Sequence, residues 1–138
     1  DDLLQFRRGA VELAVLQLLA GREVYGGELV DLLGQYGALA TTRGTVYPML
    51  SRLRSSGLVE TTWHESPSGP PRRYYRLTPE GESARLRRAD AWRGLVHDMS
   101  NLMSAEEKIM TIDEYLARVG TALTLSLYTS DAADEEDS

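Results

Sequence analysis

Apolar residues recur at helical spacing in three stretches of the chain, residues 6–20, 26–36 and 42–56. The first stretch is apolar on nearly every side, which predicts a helix buried on more than one face. In the third stretch, three apolar residues stand four and three positions apart, and we expect them to face the core. These residues are Val46, Leu50 and Leu53. The opposite side of the third helix is then left free.

After Gly57 the pattern changes to one typical of strands. Residues 58–65 and 73–77 are rich in β-branched and aromatic side chains, which predicts two short strands. The segment between them, residues 66–71, is rich in proline and serine and predicts the loop of a hairpin. Residues 78–80 supply a hydroxyl cap, a proline and an acidic first turn for a long helix. The predicted fold class is mainly α with a small β-hairpin, a winged helix-turn-helix with a long C-terminal helix.

The last part of the chain carries weaker signals. Residues 104–107 and 111–114 both fit the capping-box pattern, so each is expected to start a further helical segment. The acidic end, rich in small residues, cannot bury enough apolar surface to fold and is expected to be disordered. We therefore predict three regions, a winged-helix domain at 1–81, a C-terminal helical region at 82–127 and an acidic, disordered tail at 128–138.

Composition narrows the class of protein. Apolar residues form 42% of the chain, and no apolar run reaches the roughly 18 residues that span a bilayer. No signal peptide is visible and cysteine is absent, so we expect a cytoplasmic protein without disulfides or a membrane partner. His64 and His97 are the only histidines, and no metalloprotease, nucleophile-elbow or phosphate-loop motif occurs. The sequence predicts neither an enzyme nor a cofactor or metal site.

Charge is distributed unevenly along the chain. The net charge of −6 by itself argues against nucleic acid as a partner. However, residues 40–93 carry 10 arginines and 5 acidic residues, whereas residues 99–138 carry 2 basic and 9 acidic residues. Charges are screened over about 10 Å at moderate salt, so a basic face in the middle acts independently of a distant acidic end.

Four motifs occur in the order found in a known family. They are Tyr25-Gly26-x-Glu28-Leu29, the run GTVYPMLSRL from Gly44 to Leu53, Gly57-Leu58-Val59, and the run GPPRRYYRLTPEG from Gly69 to Gly81. Each motif is weak alone, but the ordered set closely resembles PadR-family regulators over residues 6–100. The resemblance implies a winged-helix homodimer that represses operons, typically for phenolic-acid stress, drug export or envelope functions.

The free side of the third helix is the predicted DNA-reading surface, because a helix-turn-helix inserts this helix into the major groove. Arg43 is the best candidate to bond guanine through O6 and N7, and Tyr47 can reach a phosphate through its hydroxyl. The alternatives are a solvated Arg43 and a Tyr47 that only packs the start of the helix. The candidates on this helix are Thr42, Arg43, Thr45, Tyr47, Ser51 and Arg52.

Arg72 and Arg73 stand at the base of the predicted wing. Arginine gains from the negative potential of a narrow A·T-rich minor groove, which favours a DNA contact. The alternative is a pair of surface ion pairs, which contribute little to stability. Tyr25 completes the predicted DNA-binding set as a donor to the DNA backbone, unless it is a core or interface residue. The aromatic residues predicted to pack the hairpin are Trp63, Tyr74 and Tyr75.

The long helix carries a short heptad seam with steps of 3, 4, 3 and 4 residues. The seam residues are Ala89, Trp92, Val96, Met99 and Met103, with Leu95 and Leu102 beside them. A seam of this kind needs a partner, and the simplest partner is a second copy of the chain. Two recognition helices would then lie on half-sites about 34 Å apart on a palindrome.

The resemblance also implies an effector site, because in some relatives a tryptophan at the place of Trp92 lines a cavity at the dimer centre. Trp92 offers a flat apolar face, and Met99 and Met103 can repack around ligands of varied shape. The expected ligand is a small aromatic or drug-like effector that releases the repressor from DNA. The alternative is plain packing of Trp92 in the dimer interface.

The expected function is therefore that of a sequence-specific transcription repressor, with double-stranded DNA and a second copy of the chain as partners. The competing hypothesis is a winged-helix module that binds protein without binding DNA. Such modules usually lack a basic recognition face, so the arginine surplus of residues 40–93 favours DNA.

Overall fold

A computed structural model describes the backbone of residues 1–136 and the side chains of residues 1–105, 112–117, 119 and 120. The protein is mainly helical with a small antiparallel sheet, as the sequence predicts. In chain order the elements are α1 (Asp2–Leu18), β1 (Val24–Tyr25), α2 (Gly26–Gly34), a 3₁₀ turn (Gly37–Leu39), α3 (Arg43–Ser55), β2 (Val59–Ser66), β3 (Gly69–Leu77) and α4 (Pro79–Glu136). None of the described helices is both long enough and apolar enough to cross a membrane.

The first three helices and the sheet enclose one apolar core. The predicted core residues of α3 are buried, with an exposed fraction of 0% for Val46 and Leu50 and 2% for Leu53. The rest of the core consists of Met49, also in α3, and of residues from outside this helix, namely Val11, Val15, Leu16, Leu19, Val24, Leu29, Leu33, Val59 and Tyr75. The prediction for α1 was partly wrong, because Phe6 is 72% exposed. The helix begins at Asp2, and its first turns extend past the core that they were expected to join.

The sheet has three strands in the order β1-β3-β2, where the sequence predicts only a two-stranded hairpin. β1 consists of two residues and pairs through Val24 with Tyr75 and through Tyr25 with Tyr74. A strand of two residues has no periodicity for a sequence pattern to detect, and only its pairing with β3 defines it. As a result, Tyr25 is fixed to the wing and also precedes the first residue of α2.

The first turn of α4 is attached to the loop that follows α3. The Thr78 hydroxyl donates to the carbonyl oxygen of Gly57 at 2.6 Å and accepts from the backbone N–H of Gly81 at 3.0 Å, as a capping residue does. One turn later, Arg85 donates through Nε to the Glu82 carboxylate at 2.8 Å. This hydrogen bond holds the pKa of Glu82 below its ordinary value and raises the pKa of Arg85. The predicted start of the long helix is confirmed.

The 58-residue helix α4 passes through both capping-box sequences without a break, so the expectation that each starts a new segment was wrong. Helix-forming residues on both sides of each box allow the helix to continue. The backbone is helical as far as Glu136, where a disordered tail was expected from residue 128, and Asp137 and Ser138 lie outside the described residues. The chain divides into two compact units, Asp1–Trp92, which contains the winged helix, and Arg93–Ser138.

Candidate nucleic-acid interface

A groove of about 510 Å³ lies between the start of α3 and the sheet. It is lined by Tyr25, Gly26, Gly27, Arg43, Tyr47, Trp63, Arg72, Arg73 and Tyr75. Five of the nine predicted DNA-binding residues therefore meet here, although they come from three separate elements. Three of them are arginines, and no lining residue is acidic. The groove thus concentrates positive charge on a chain that is acidic overall.

Gly26 allows α2 and α3 to approach closely beside this groove. A Cβ added at Gly26 would lie 2.7 Å from a ring carbon of Tyr47, which is closer than side chains pack. At Gly27 the same atom would lie 3.5 Å from Nη2 of Arg43. Tyr47 packs against the start of α2 in this way, yet it remains 41% exposed. Packing and a hydroxyl contact with a ligand are therefore compatible for this residue.

Each wing arginine lies over an aromatic ring. The guanidinium carbon of Arg72 is 4.6 Å from the centre of the Tyr25 ring, and that of Arg73 is 4.9 Å from the centre of the Trp63 ring. Such distances allow a cation–π attraction, which limits where each guanidinium can point. Neither arginine forms an ion pair with any residue in the described part of the chain. The Nε of Arg73 is buried and has no hydrogen-bond partner among the same residues.

The remaining candidates on α3 lie outside this groove. Thr42, Thr45 and Arg52 line a second groove of about 900 Å³ between α3 and α1, which also includes Arg7 and Arg8. The hydroxyls of Thr42 and Thr45 lie 3.4 Å apart, within reach of a shared ligand. Ser51 lines a third, smaller groove together with Arg54, Ser55, Arg73 and Tyr75. The structure therefore distributes the nine candidates around α3 and does not gather them at one point.

The seam residues of α4 differ in exposure. Ala89 is 9% exposed and is buried within its own chain. Trp92, Val96, Met99 and Met103 are between 42% and 55% exposed. The beginning of α4 is fixed to α1, because Arg85 donates to Gln17 at 3.0 Å and Arg88 forms an ion pair with Glu12 at 3.2 Å.

Trp63 is the residue that sequence reasoning assigned wrongly. We predicted that it packs the hairpin, but it is 62% exposed and lines the groove. Tyr75 is buried as predicted, and the Tyr74 ring meets the Tyr25 ring edge-on at 5.7 Å. The hairpin register explains why Trp63 lines the groove, because it stands directly opposite Arg73. Side chains opposite each other on an antiparallel pair share one face of the sheet.

His64 belongs to a polar network on the wing. Its Nε2 lies 2.8 Å from Oε2 of Glu23, and Arg76 forms ion pairs with both Glu23 and Glu60. The His64 ring also meets the Tyr74 ring edge-on at 4.7 Å. Within the described residues, no group of three or more histidine, aspartate or glutamate side chains is placed to hold a metal ion. The network links Glu23, which directly precedes β1, to the two long strands of the wing.

Comparison with known proteins identifies the family of this chain. The profile of the transcriptional regulator PadR-like family matches residues 15–87, which is more than half of the chain. The chain belongs to the PadR-like family. It is a transcriptional regulator, and the family implies that it acts by binding DNA.

Individual relatives agree with this assignment. The transcriptional regulator Rv3488 of Mycobacterium tuberculosis is 39% identical over 80 residues, which cover 58% of this chain and 73% of that protein. A PadR-family regulator from Eggerthella lenta is 34% identical with a TM-score of 0.64 over 72% of this chain and 87% of the other. A PadR-like regulator from Bacillus cereus is 31% identical with a TM-score of 0.66 over 72% of this chain and 96% of the other. These PadR-like structures confirm the predicted winged-helix fold class.

Proposed function

We propose that this PadR-like regulator represses transcription by binding as a homodimer to palindromic operators. The observation that carries the proposal is the acid-free groove, in which Arg43 of α3 and the wing arginines Arg72 and Arg73 converge. Phosphate contacts supply a large share of the affinity of DNA-binding proteins, and three arginines that line one groove are suited to them. None of the three forms an ion pair with a described carboxylate, so the free protein does not neutralise them in that way.

In this proposal α3 enters the major groove of the operator. Arg43 is the first residue of α3, and base contacts in helix-turn-helix proteins come from the N-terminal part of the recognition helix. Its planar guanidinium bonds O6 and N7 of a guanine together, which provides the sequence specificity. The phosphate or base-edge contacts on the remaining surface of α3 are assigned to Thr42, Thr45, Tyr47, Ser51 and Arg52.

The wing carries the second contact. Arg72 and Arg73 lie on adjacent positions of β3, so their side chains leave opposite faces of the strand. Tyr25 and Trp63 each support one of them. We assign both arginines to the adjacent minor groove or its phosphates, with Tyr25 beside them. Arginine is favoured there because a narrow minor groove strengthens the negative potential.

The dimer is assigned to α4. Val96, Met99 and Met103 follow seam spacing and are all at least 42% exposed, and Leu95 and Leu102 beside them are 57% and 65% exposed. A row of large apolar side chains at this spacing is typical of helices that pair with another helix. The exposed first turns of α1, with Leu4 65% and Phe6 72% exposed, offer further apolar area to a second copy.

The effector site is assigned to Trp92, which is 44% exposed. A small aromatic ligand that stacks on the indole would bind one dimer geometry better than another, and this difference in affinity shifts the population. Release from DNA follows if the favoured geometry has the wrong spacing between recognition helices. In Trp92→Ala the operator binding that remains should then no longer respond to the effector, and an unchanged response would remove Trp92 from this role.

A salt titration tests the DNA proposal against the protein-binding alternative. The dissociation constant for the DNA upstream of the protein's own gene is measured in gel retardation assays at several salt concentrations. The logarithm of the association constant should fall with the logarithm of salt at a slope of about −0.9 per phosphate contacted. Absence of binding to DNA, or binding that ignores salt, would contradict the proposal and favour a module that binds protein.

A further inference from the structure

Trp63 is the largest side chain in the groove, and most of it is exposed. It is 62% exposed on β2, although its neighbour on β3 in the same groove, Tyr75, is only 6% exposed. One side of the indole is in contact with the guanidinium of Arg73, whose ring-to-cation distance is 4.9 Å. A single exposed apolar residue needs no explanation by itself. Trp63 differs because it shares its groove with three arginines and no acidic residue.

The position of the groove decides which part of a DNA duplex could enter it. With α3 in the major groove and the wing at the adjacent minor groove, one sugar–phosphate strand must pass between these two elements. The groove lies between α3, which contributes Arg43 and Tyr47, and the wing, which contributes Trp63 and Arg73. A sugar–phosphate strand alternates anionic phosphates with largely apolar deoxyribose rings. The groove matches that alternation, because its cationic groups stand next to an exposed indole.

We propose that Trp63 contacts the DNA directly, with its indole packed against a deoxyribose of the strand that passes between α3 and the wing. This inference rests on the DNA binding proposed above and adds to it a residue and a mode of contact. Trp63 also positions Arg73, because the ring that touches the sugar holds the guanidinium beside the next phosphate. When DNA covers the pair and excludes water, the cation–π attraction between them becomes stronger.

Tyr25 is a weaker candidate for the same contact. Its ring is covered by Arg72 at 4.6 Å and by the edge of Tyr74 at 5.7 Å, and the residue is only partly exposed. It therefore supports an arginine but has little free surface for a sugar. Because deoxyribose is the same at every base pair, the Trp63 contact adds affinity for any duplex and does not discriminate between sequences.

Fluorine NMR of the full-length protein labelled with 5-fluorotryptophan tests the contact in the wild-type chain. The chain has two tryptophans, so two resonances are expected, and the one missing from Trp63→Phe belongs to Trp63. Addition of a duplex from the upstream region of its own gene should shift the Trp63 resonance. A Trp63 resonance that stays in place while the protein binds this duplex overturns the inference but leaves the proposed function intact.

Affinity measurements test whether Trp63 adds affinity for any duplex without discriminating between sequences. Trp63→Ala should weaken binding to the operator and to an unrelated duplex by the same factor, about five- to tenfold, since an aromatic contact area is lost. Tyr36→Ala is the matched control, because Tyr36 is 58% exposed but lines none of the three grooves. It should bind as the wild type does. Trp63→Ala that binds within twofold of wild type, or loses affinity for the operator alone, overturns the inference. A wild-type protein that binds no DNA overturns the proposed function, and this inference with it.

Discussion

The backbone of Arg43 is fixed in α3, whereas its guanidinium group can reach a ligand. It is the first residue of α3, and the close approach of α2 places its Nη2 3.5 Å from where a Cβ at Gly27 would lie. The long side chain extends along the start of α2 into the groove. No described carboxylate forms an ion pair with it. The residue is therefore available to a ligand, and its position at the N-terminal turn suits a base contact.

Arg43→Ala should reduce discrimination between DNA sequences. Loss of a bidentate contact with guanine costs about 1–3 kcal/mol at the operator, and much less on an unrelated duplex. Arg54→Ala removes the same charge from the other end of α3 and is the control, with a small and equal loss on both duplexes. Competition titrations with the two duplexes measure the ratio. Equal losses for Arg43→Ala on both duplexes would show that Arg43 contacts only the DNA backbone.

At the scale of the elements, the joint between α4 and the loop after α3 fixes where the long helix begins. A Cβ at Gly81 would overlap the carbonyl oxygen of Leu58 and lie 2.8 Å from its carbonyl carbon. Both atoms belong to the backbone, so they cannot move aside as a flexible side chain can. The two hydrogen bonds of the Thr78 hydroxyl hold the same joint together. The start of α4 is thus held rigidly at this joint, next to the beginning of the wing.

Gly81→Ala should destabilise the fold by at least about 3 kcal/mol, the upper end for overpacking, because the obstacle is backbone. Gly94→Ala in the same helix is the matched control, since nothing lies within 4 Å of the added Cβ. Gly94 is also off the heptad seam, so alanine there should stabilise by about 0.5–1 kcal/mol through helix propensity. Urea unfolding followed by circular dichroism measures both. Equal stability of the two variants would show that the joint between α4 and the loop after α3 is not tightly packed.

The elements that the sequence predicts correctly are those with a periodic signal. The core residues of α3, the presence of two hairpin strands and the capped start of α4 all follow from spacing and from capping chemistry. The hairpin loop was predicted too long, because β3 already begins at Gly69 and pairs there with Ser66. β1 could not be predicted, because two residues have no period and its partner is about 50 positions away. The breaks expected in α4 did not occur, since a capping-box pattern inside a helix-forming sequence does not by itself end the preceding turn.

The sequence indicates which residue types suit a DNA-binding surface, but it does not show where in the fold they lie. Arg43, Arg72 and Arg73 could be selected because arginine suits phosphate and guanine. That they meet in one groove follows from the close approach of α2 and α3 at Gly26 and from the sheet register, which no local pattern shows. Trp63 was assigned to packing because aromatic residues in strands are usually buried, and its exposure is a property of the folded wing.

On the scale of the whole molecule, the proposed assembly depends on the exposed apolar seam of α4. Met99 is 48% exposed and lies at the middle of the described seam, between Val96 and Met103. In a single chain these side chains would face water. A second copy of α4 would cover them and hold two winged-helix domains as a pair, which a palindromic operator requires.

Met99→Glu should dissociate the dimer, because an unpaired carboxylate buried in an apolar seam costs roughly 3–5 kcal/mol. Asn101→Glu adds the same charge two residues later, off the seam, and should leave the dimer intact. Sedimentation velocity at micromolar concentration distinguishes the two states. A Met99→Glu variant that sediments as the wild type does would place the dimer interface elsewhere.

A hydroxyl-radical footprint on the DNA upstream of the gene tests most directly whether a twofold pair of arginine-lined grooves reads a duplex. Two protected half-sites should appear, related by a local dyad, with centres about 34 Å or one helical turn apart. Both should disappear together in Met99→Glu at micromolar concentration. A single protected patch without a dyad, or no protection at a salt concentration near 0.1 M, would contradict the proposed mode of action.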